Sequence, residues 1–131
     1  MVQQGSCSCG QLRVSCLGEP LRISICHCLD CQRRTGSAFG YQARFPADQV
    51  TVEGEMREFE RLGDSGQPVT FRFCPVCGST VYWTLPSQPG LIAVAVGAFA
   101  DPNYPPPWFS VYEGRRHRWV EVPTSVTERL E

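Results

Sequence analysis

Apolar and polar residues alternate at period two along most of the chain, in short runs bounded by Gly, Pro, Asp and Ser. In an extended strand that period sends alternate side chains to opposite faces. "QLRVSC" therefore places Leu12, Val14 and Cys16 on one face, and "LRISI" does the same with Leu21, Ile23 and Ile25. "FGYQARF", "VTVEG", "REFERL", "VTFRF", "TVYWTL", "LIAVAVG" and "HRWVEV" read as further strands. The turn-rich "GDSGQP" between "REFERL" and "VTFRF" predicts a hairpin loop. Helical signals are few: "CLDCQRRTG" predicts a single helical turn ending near Gly36, and "PTSVTERLE" a frayed terminal one. Eleven prolines and twelve glycines, many between strands, argue against long helices. The pattern predicts a mostly β protein of several small antiparallel sheets rather than one large barrel.

With no internal repeat, low-complexity tract or linker, the 131 residues predict a single domain, 1–131. Twelve basic against thirteen acidic residues give no global pull toward nucleic acid or an anionic membrane. All twelve basic residues are arginine, the side chain suited to bidentate contacts with carboxylates. The N-terminus lacks the basic and apolar regions of a signal peptide, and the longest apolar run, "LIAVAVGAFA", is half of the ~20 residues a membrane helix needs. The expectation is a soluble cytoplasmic protein, where clustered thiols point to metal or catalysis before disulfides.

Eight cysteines then change the picture. Cys16 continues an apolar alternation and reads as core. The other seven divide as four plus three, which are the ligand counts of a closed structural zinc site and an open catalytic one. "FCPVCGS" resembles one half of a zinc ribbon, and "CSCG" at residues 7 to 10 is its natural partner, giving Cys7, Cys9, Cys74 and Cys77. Such a site would close a long loop, where a crosslink removes the most chain entropy. Cys26, Cys28 and Cys31 remain as an open triad whose fourth position suits a substrate thiol. His27, between two of them, is not expected to ligate from the same face. The bland alternatives are disulfides, or one structural zinc beside three unmetallated redox thiols.

"GSCSCGQLRV", "CHCLDCQRRTGSAF" and "FRFCPVCGSTVYW" occur in the order that resembles the glutathione-dependent formaldehyde-activating enzyme family, which includes the centromere protein V relatives. The resemblance implies an Mss4-like (β-tent) fold, zinc on each of the two cysteine groups, and catalysis at Cys26, Cys28 and Cys31. It further implies binding of glutathione and formaldehyde, with S-hydroxymethylglutathione as the adduct, a carbon–sulfur lyase reaction read backwards. Glutathione carries two carboxylates, so Arg33 and Arg34, directly behind the triad, are candidates to contact one; the equal alternative is two solvated surface charges. Family members often carry a His in a "P-x-x-H" position where this chain has Trp108, and His117 lies nearer the end.

Phe39, Tyr41, Phe71, Phe73, Tyr82 and Trp83 lie on alternating strands and read as core before pocket. "DPNYPPPWF" is stiff and extended, with Tyr104, Trp108 and Phe109 partly exposed to wall a pocket or form a homodimer surface. "RRHR" at residues 115 to 118 reads as a solvated strand end rather than a nucleic-acid contact. Two other classes compete with the enzyme: a zinc-stabilised binding module, which would bury its second metal, and a thiol redox protein, which would form disulfides during turnover.

Overall fold

Leu12, Val14 and Cys16 have essentially no exposed surface, so the alternation along "QLRVSC" is the face that the fold buries. The computed structural model describes residues 1–131. In chain order it contains β1 (Val2–Ser6), β2 (Arg13–Leu17), β3 (Arg22–Cys26), α1 (Leu29–Thr35), β4 (Gly40–Pro46), β5 (Val50–Glu53), β6 (Arg57–Leu62), β7 (Pro68–Phe73), β8 (Thr80–Thr84), β9 (Leu91–Ala95), β10 (Phe109–Val111) and β11 (Glu128–Leu130). Short 3-10 turns follow β4, β9 and β10. The protein is mostly β with one α-helix, and no helix is long and apolar enough to cross a membrane.

The strands form a three-stranded sheet, β1-β2-β5, and an eight-stranded one in the order β11-β10-β3-β4-β9-β8-β7-β6. The main core packs Val14 and Cys16 of the small sheet, with Leu12 just before β2, against Ile23, Phe45 and Val94 of the large one. Burying each large side chain of this kind contributes about 1.5–3 kcal/mol. Because β3 and β4 are two-sided, the intervening residues face away from that core. The register pairs Arg22 with Arg44, Ser24 with Gln42 and Cys26 with Gly40. This second face carries a smaller apolar cluster of Val69, Phe71, Trp83 and Ala93.

Several elements depart from the pattern. β1 is polar in sequence and is a strand only because β2 pairs with it along its full length. "HRWVEV" is irregular, with Trp119 73% exposed, and the terminal segment expected to be helical ends as β11. β10 runs parallel to both β3 and β11, so the edge of the large sheet is not antiparallel. Three-residue strands carry too little periodicity to be read locally, and their partners define them. Leu21, expected beside Ile23 and Ile25, precedes β3 and is exposed.

Candidate metal centres and the adjoining cavity

Residues 7–10 and 74–78 form two similar turns. Gly10 donates its N–H to the Cys7 carbonyl at 3.1 Å and Gly78 to that of Cys74 at 2.8 Å. Both glycines lie at left-handed φ, 84° and 81°, where a side chain would be strained. The two turns bring the sulfurs of Cys7, Cys9, Cys74 and Cys77 within 4.8 Å of one another. Cys7 and Cys9 are 3.6 Å apart and Cys9 and Cys74 3.7 Å. A disulfide needs about 2.05 Å, whereas sulfurs about 2.3 Å from one tetrahedral ion lie about 3.8 Å apart. All eight cysteines are free.

Local donors favour thiolates here. Leu12 N–H points at Cys7 Sγ (3.3 Å), while Val76 N–H (3.3 Å) and the Gln11 amide (3.0 Å) point at Cys74 Sγ. Hydrogen bonds from the Ser79 backbone, and then its hydroxyl, hold the Cys77 thiol down to about 5. Four soft sulfurs in a tetrahedral spacing could hold a metal ion, and zinc is compatible with them.

The second group is built by one strand end and one helix start. Cys26 ends β3. Cys28 is the N-cap of α1, its sulfur accepting from Cys31 N–H at 3.3 Å, and Cys31 lies one turn in. Gly36, at φ 67°, caps the helix and closes the predicted turn. The three sulfurs lie within 4.8 Å of one another and all three residues are buried. Crowding divides the thiols: hydrogen bonds from Cys26 and Cys28, helped by Arg34, push Cys31 down to about 3, while Cys26 is pushed up. This group too could hold a metal ion. His27 is outside it, fully buried and edge-on to Phe39 with ring centroids 6.2 Å apart.

The triad lines a cavity of about 270 Å³, walled by Phe71, Trp83 and Tyr112 and bordered by Arg22, Arg34, Arg44 and Arg61. The two arginines singled out in the sequence separate here. Arg33 is an exposed surface charge 3.6 Å from Asp30. Arg34 lies over Trp83, 4.3 Å from the ring centroid, with Nη2 3.9 Å from Cys31 Sγ. Phe71 and Trp83, expected as core, are both packed and pocket-forming, because Tyr82 takes the core face and Trp83 the opposite one.

Arg22, Arg44, Arg61 and Tyr112 were not legible as site residues. The available signal for Arg22 was its period-two relation to Cys26 in "RISIC". Tyr112 adopts left-handed φ (58°), a costly conformation for a bulky residue, and is pinned by its N–H to the Leu130 carbonyl at 2.9 Å. Burial, then Asp64, Cys26 and Cys28, raise its phenol above the ordinary value, so the hydroxyl is protonated at neutral pH. Trp108 packs against the main core, donating its N–H to the Ile23 carbonyl at 3.0 Å. His117 meets Gln32 at 2.8 Å on the outer side of α1, and residues 115 to 118 are all exposed.

A family model described as glutathione-dependent formaldehyde-activating enzyme matches residues 2–115. Among solved structures, the chain is similar to the crystal structure of a Rhodobacter sphaeroides protein that was a Northeast Structural Genomics target. Identity is 21% over 79% of this chain and 91% of that one, with a TM-score of 0.58, a likeness of fold. No match was found among curated proteins.

Proposed function

The chain belongs to the glutathione-dependent formaldehyde-activating enzyme family, and on that premise we propose that it makes or breaks the carbon–sulfur bond of a thiol–aldehyde adduct such as S-hydroxymethylglutathione. Its mostly β architecture is the Mss4-like fold of that family. The observation that carries the proposal is the placement of Cys26, Cys28 and Cys31, clustered within 4.8 Å and lining a cavity that also has aromatic and cationic walls. Two zinc ions per chain suit the donor sets. Cys7, Cys9, Cys74 and Cys77 would hold one in a closed structural site, and the triad would hold the other with a position left over. When bound there, zinc supplies the Lewis acidity that keeps an incoming thiol ionised at neutral pH. A cytoplasmic setting suits eight free cysteines.

The chain's own residues do the rest. Arg34 holds positive charge beside Cys31 and lies against Trp83, which keeps it from swinging into solvent. Phe71 and Trp83 exclude water from one wall, strengthening each electrostatic contact inside. As the thiolate adds to the carbonyl carbon, the carbon–sulfur bond forms and the carbonyl π pair moves to oxygen. Tyr112 gives its proton to that oxygen and takes it back when the adduct breaks. Of the two helix arginines, we assign the substrate contact to Arg34, which borders the cavity, while Arg33 keeps its surface ion pair.

Zinc per chain, measured on protein purified without chelators and with thiols reduced, is the first test. About two is expected. Replacing the triad metal with cobalt should then give thiolate charge-transfer bands that shift when glutathione is added. Near zero zinc removes the metal and the enzyme together. About two zinc ions with bands indifferent to every thiol identifies a binding module instead.

A further inference from the structure

Arg22 and Arg44 sit directly opposite one another on β3 and β4, on the face that also carries Cys26. Like charges directly across a strand pair repel, and no carboxylate lies within ion-pair distance of either. The structure's five ion pairs use Arg13, Arg33, Arg61, Arg72 and Arg129. Both Nε atoms are buried without a hydrogen-bond partner. Arg44 reaches the Gln88 side chain through Nη1 only, and Arg22 stacks on Phe109 at 4.1 Å from the ring centroid. Burial disfavours both cations, and each arginine borders the triad cavity. The fields that oppose this are those of Cys26 on both groups and of Glu128 on Arg22. Asp64 is the acidic residue in the cavity lining, against four arginines.

Two half-buried, uncompensated guanidinium groups in one cavity wall make a poor structural element and a good anion receptor. Their planar forks match a carboxylate, and part of the desolvation cost has already been met in the folded state. We propose that Arg22 and Arg44 form the anion subsite of the cavity, binding a carboxylate of the thiol substrate while its sulfur reaches Cys26, Cys28 and Cys31. This rests on the thiol–adduct reading. Four residues of strand, about 13 Å, separate Arg22 from Cys26 along β3. The guanidinium ends reach closer than that, since the Cys26 charge acts on both, so the substrate class is a thiol that also carries a carboxylate and fits the cavity of about 270 Å³.

The test uses zinc-replete protein and S-methylglutathione, which keeps both carboxylates and has no free thiol. Calorimetric titration should show binding to the wild type and a loss of about 10-fold or more in Arg22→Met and in Arg44→Met, the range of a charge-assisted hydrogen bond. The melting temperature of each variant should hold or rise, because repulsion is relieved; a drop, or failure to fold, would make the pair structural and overturn the proposal. Arg44→Lys, which keeps charge without the fork, should recover part of the affinity. No binding by the wild type, equal binding by the Met variants, or tighter binding of inorganic phosphate than of S-methylglutathione would each overturn it. If glutathione ligates the triad metal while neither arginine matters, only the subsite fails. If no thiol ligates but S-methylglutathione still depends on both arginines, the subsite stands and the adduct chemistry fails.

Discussion

A Cβ placed on Gly40 would lie 2.9 Å from Arg34 Nη2, so the missing side chain of Gly40 is the space that Arg34 occupies beside the triad. Gly40 is also the cross-strand partner of Cys26. A strand position opposite a cysteine of the triad has been left empty, and a guanidinium from the neighbouring helix fills it.

Gly40→Ala should therefore move Arg34 and little else. The clash is with the far end of a flexible side chain, and alanine in a strand is about 0.5–1 kcal/mol better than glycine. Stability should not fall, while thiol affinity should drop about threefold to tenfold, part of the worth of a charge-assisted contact. Paired melting and thiol-binding curves check this, and a variant that loses stability without losing affinity would contradict it.

Loss of ligands should separate the two candidate metal centres. Cys77→Ser weakens a site that ties residues 7–9 to residues 74–77, and structural zinc sites contribute about 10–16 kcal/mol of apparent binding energy to folding. Its melting temperature should fall steeply. Cys28→Ser should leave the fold standing and abolish thiol ligation. Under a graded chelator, zinc should leave in two steps, with the step that preserves far-ultraviolet circular dichroism first. A single step accompanied by unfolding would show that the triad is structural as well.

Tyr112→Phe removes a hydroxyl and leaves the packing and the left-handed backbone intact. Turnover should fall by about 100-fold, the lower range for a general acid, with little change in KM. Because the phenol is raised in the folded protein, the wild-type rate should fall only as pH climbs past the ordinary phenol range. The variant should lack that alkaline limb.

Glu113 and Arg129 make the ion pair that ties β11 to the turn after β10, at 2.9 Å. Burial alone would raise the Glu113 carboxyl, but the Ser110 hydroxyl and the Arg129 guanidinium outweigh it and hold it below its usual value. A carboxylate with a depressed folded pKa adds stability above its unfolded pKa, and that stability disappears as pH falls through the folded one. Glu113→Gln should thus cost about 0.5–1 kcal/mol at neutral pH. The difference from wild type should close on acidification below the ordinary carboxylate value. Parallel urea titrations at the two pH values measure it.

The sequence by itself determined what local chemistry can determine. Period-two alternation identified Leu12, Val14 and Cys16 as a buried face, and the CxC and CxxCG spacings assembled two groups of thiols before any coordinates. Gly36 marked the end of the one helix, because only a left-handed residue closes that turn cheaply. Tertiary structure decided which strands lie side by side. Alternation sends Arg22 and Arg44 each to a face, but only the register of β3 on β4 puts them opposite one another. Arg33 and Arg34 look equivalent in sequence, yet neighbours on a helix point about 100° apart, so one meets Asp30 and the other Cys31. β10, too short to show a period, is held between β3 and β11, and from its end Tyr112 enters the cavity wall. Local pattern chooses a side for each residue. The neighbour it finds there is set by long-range pairing, and that pairing is what gathers three cysteines and four arginines around one cavity.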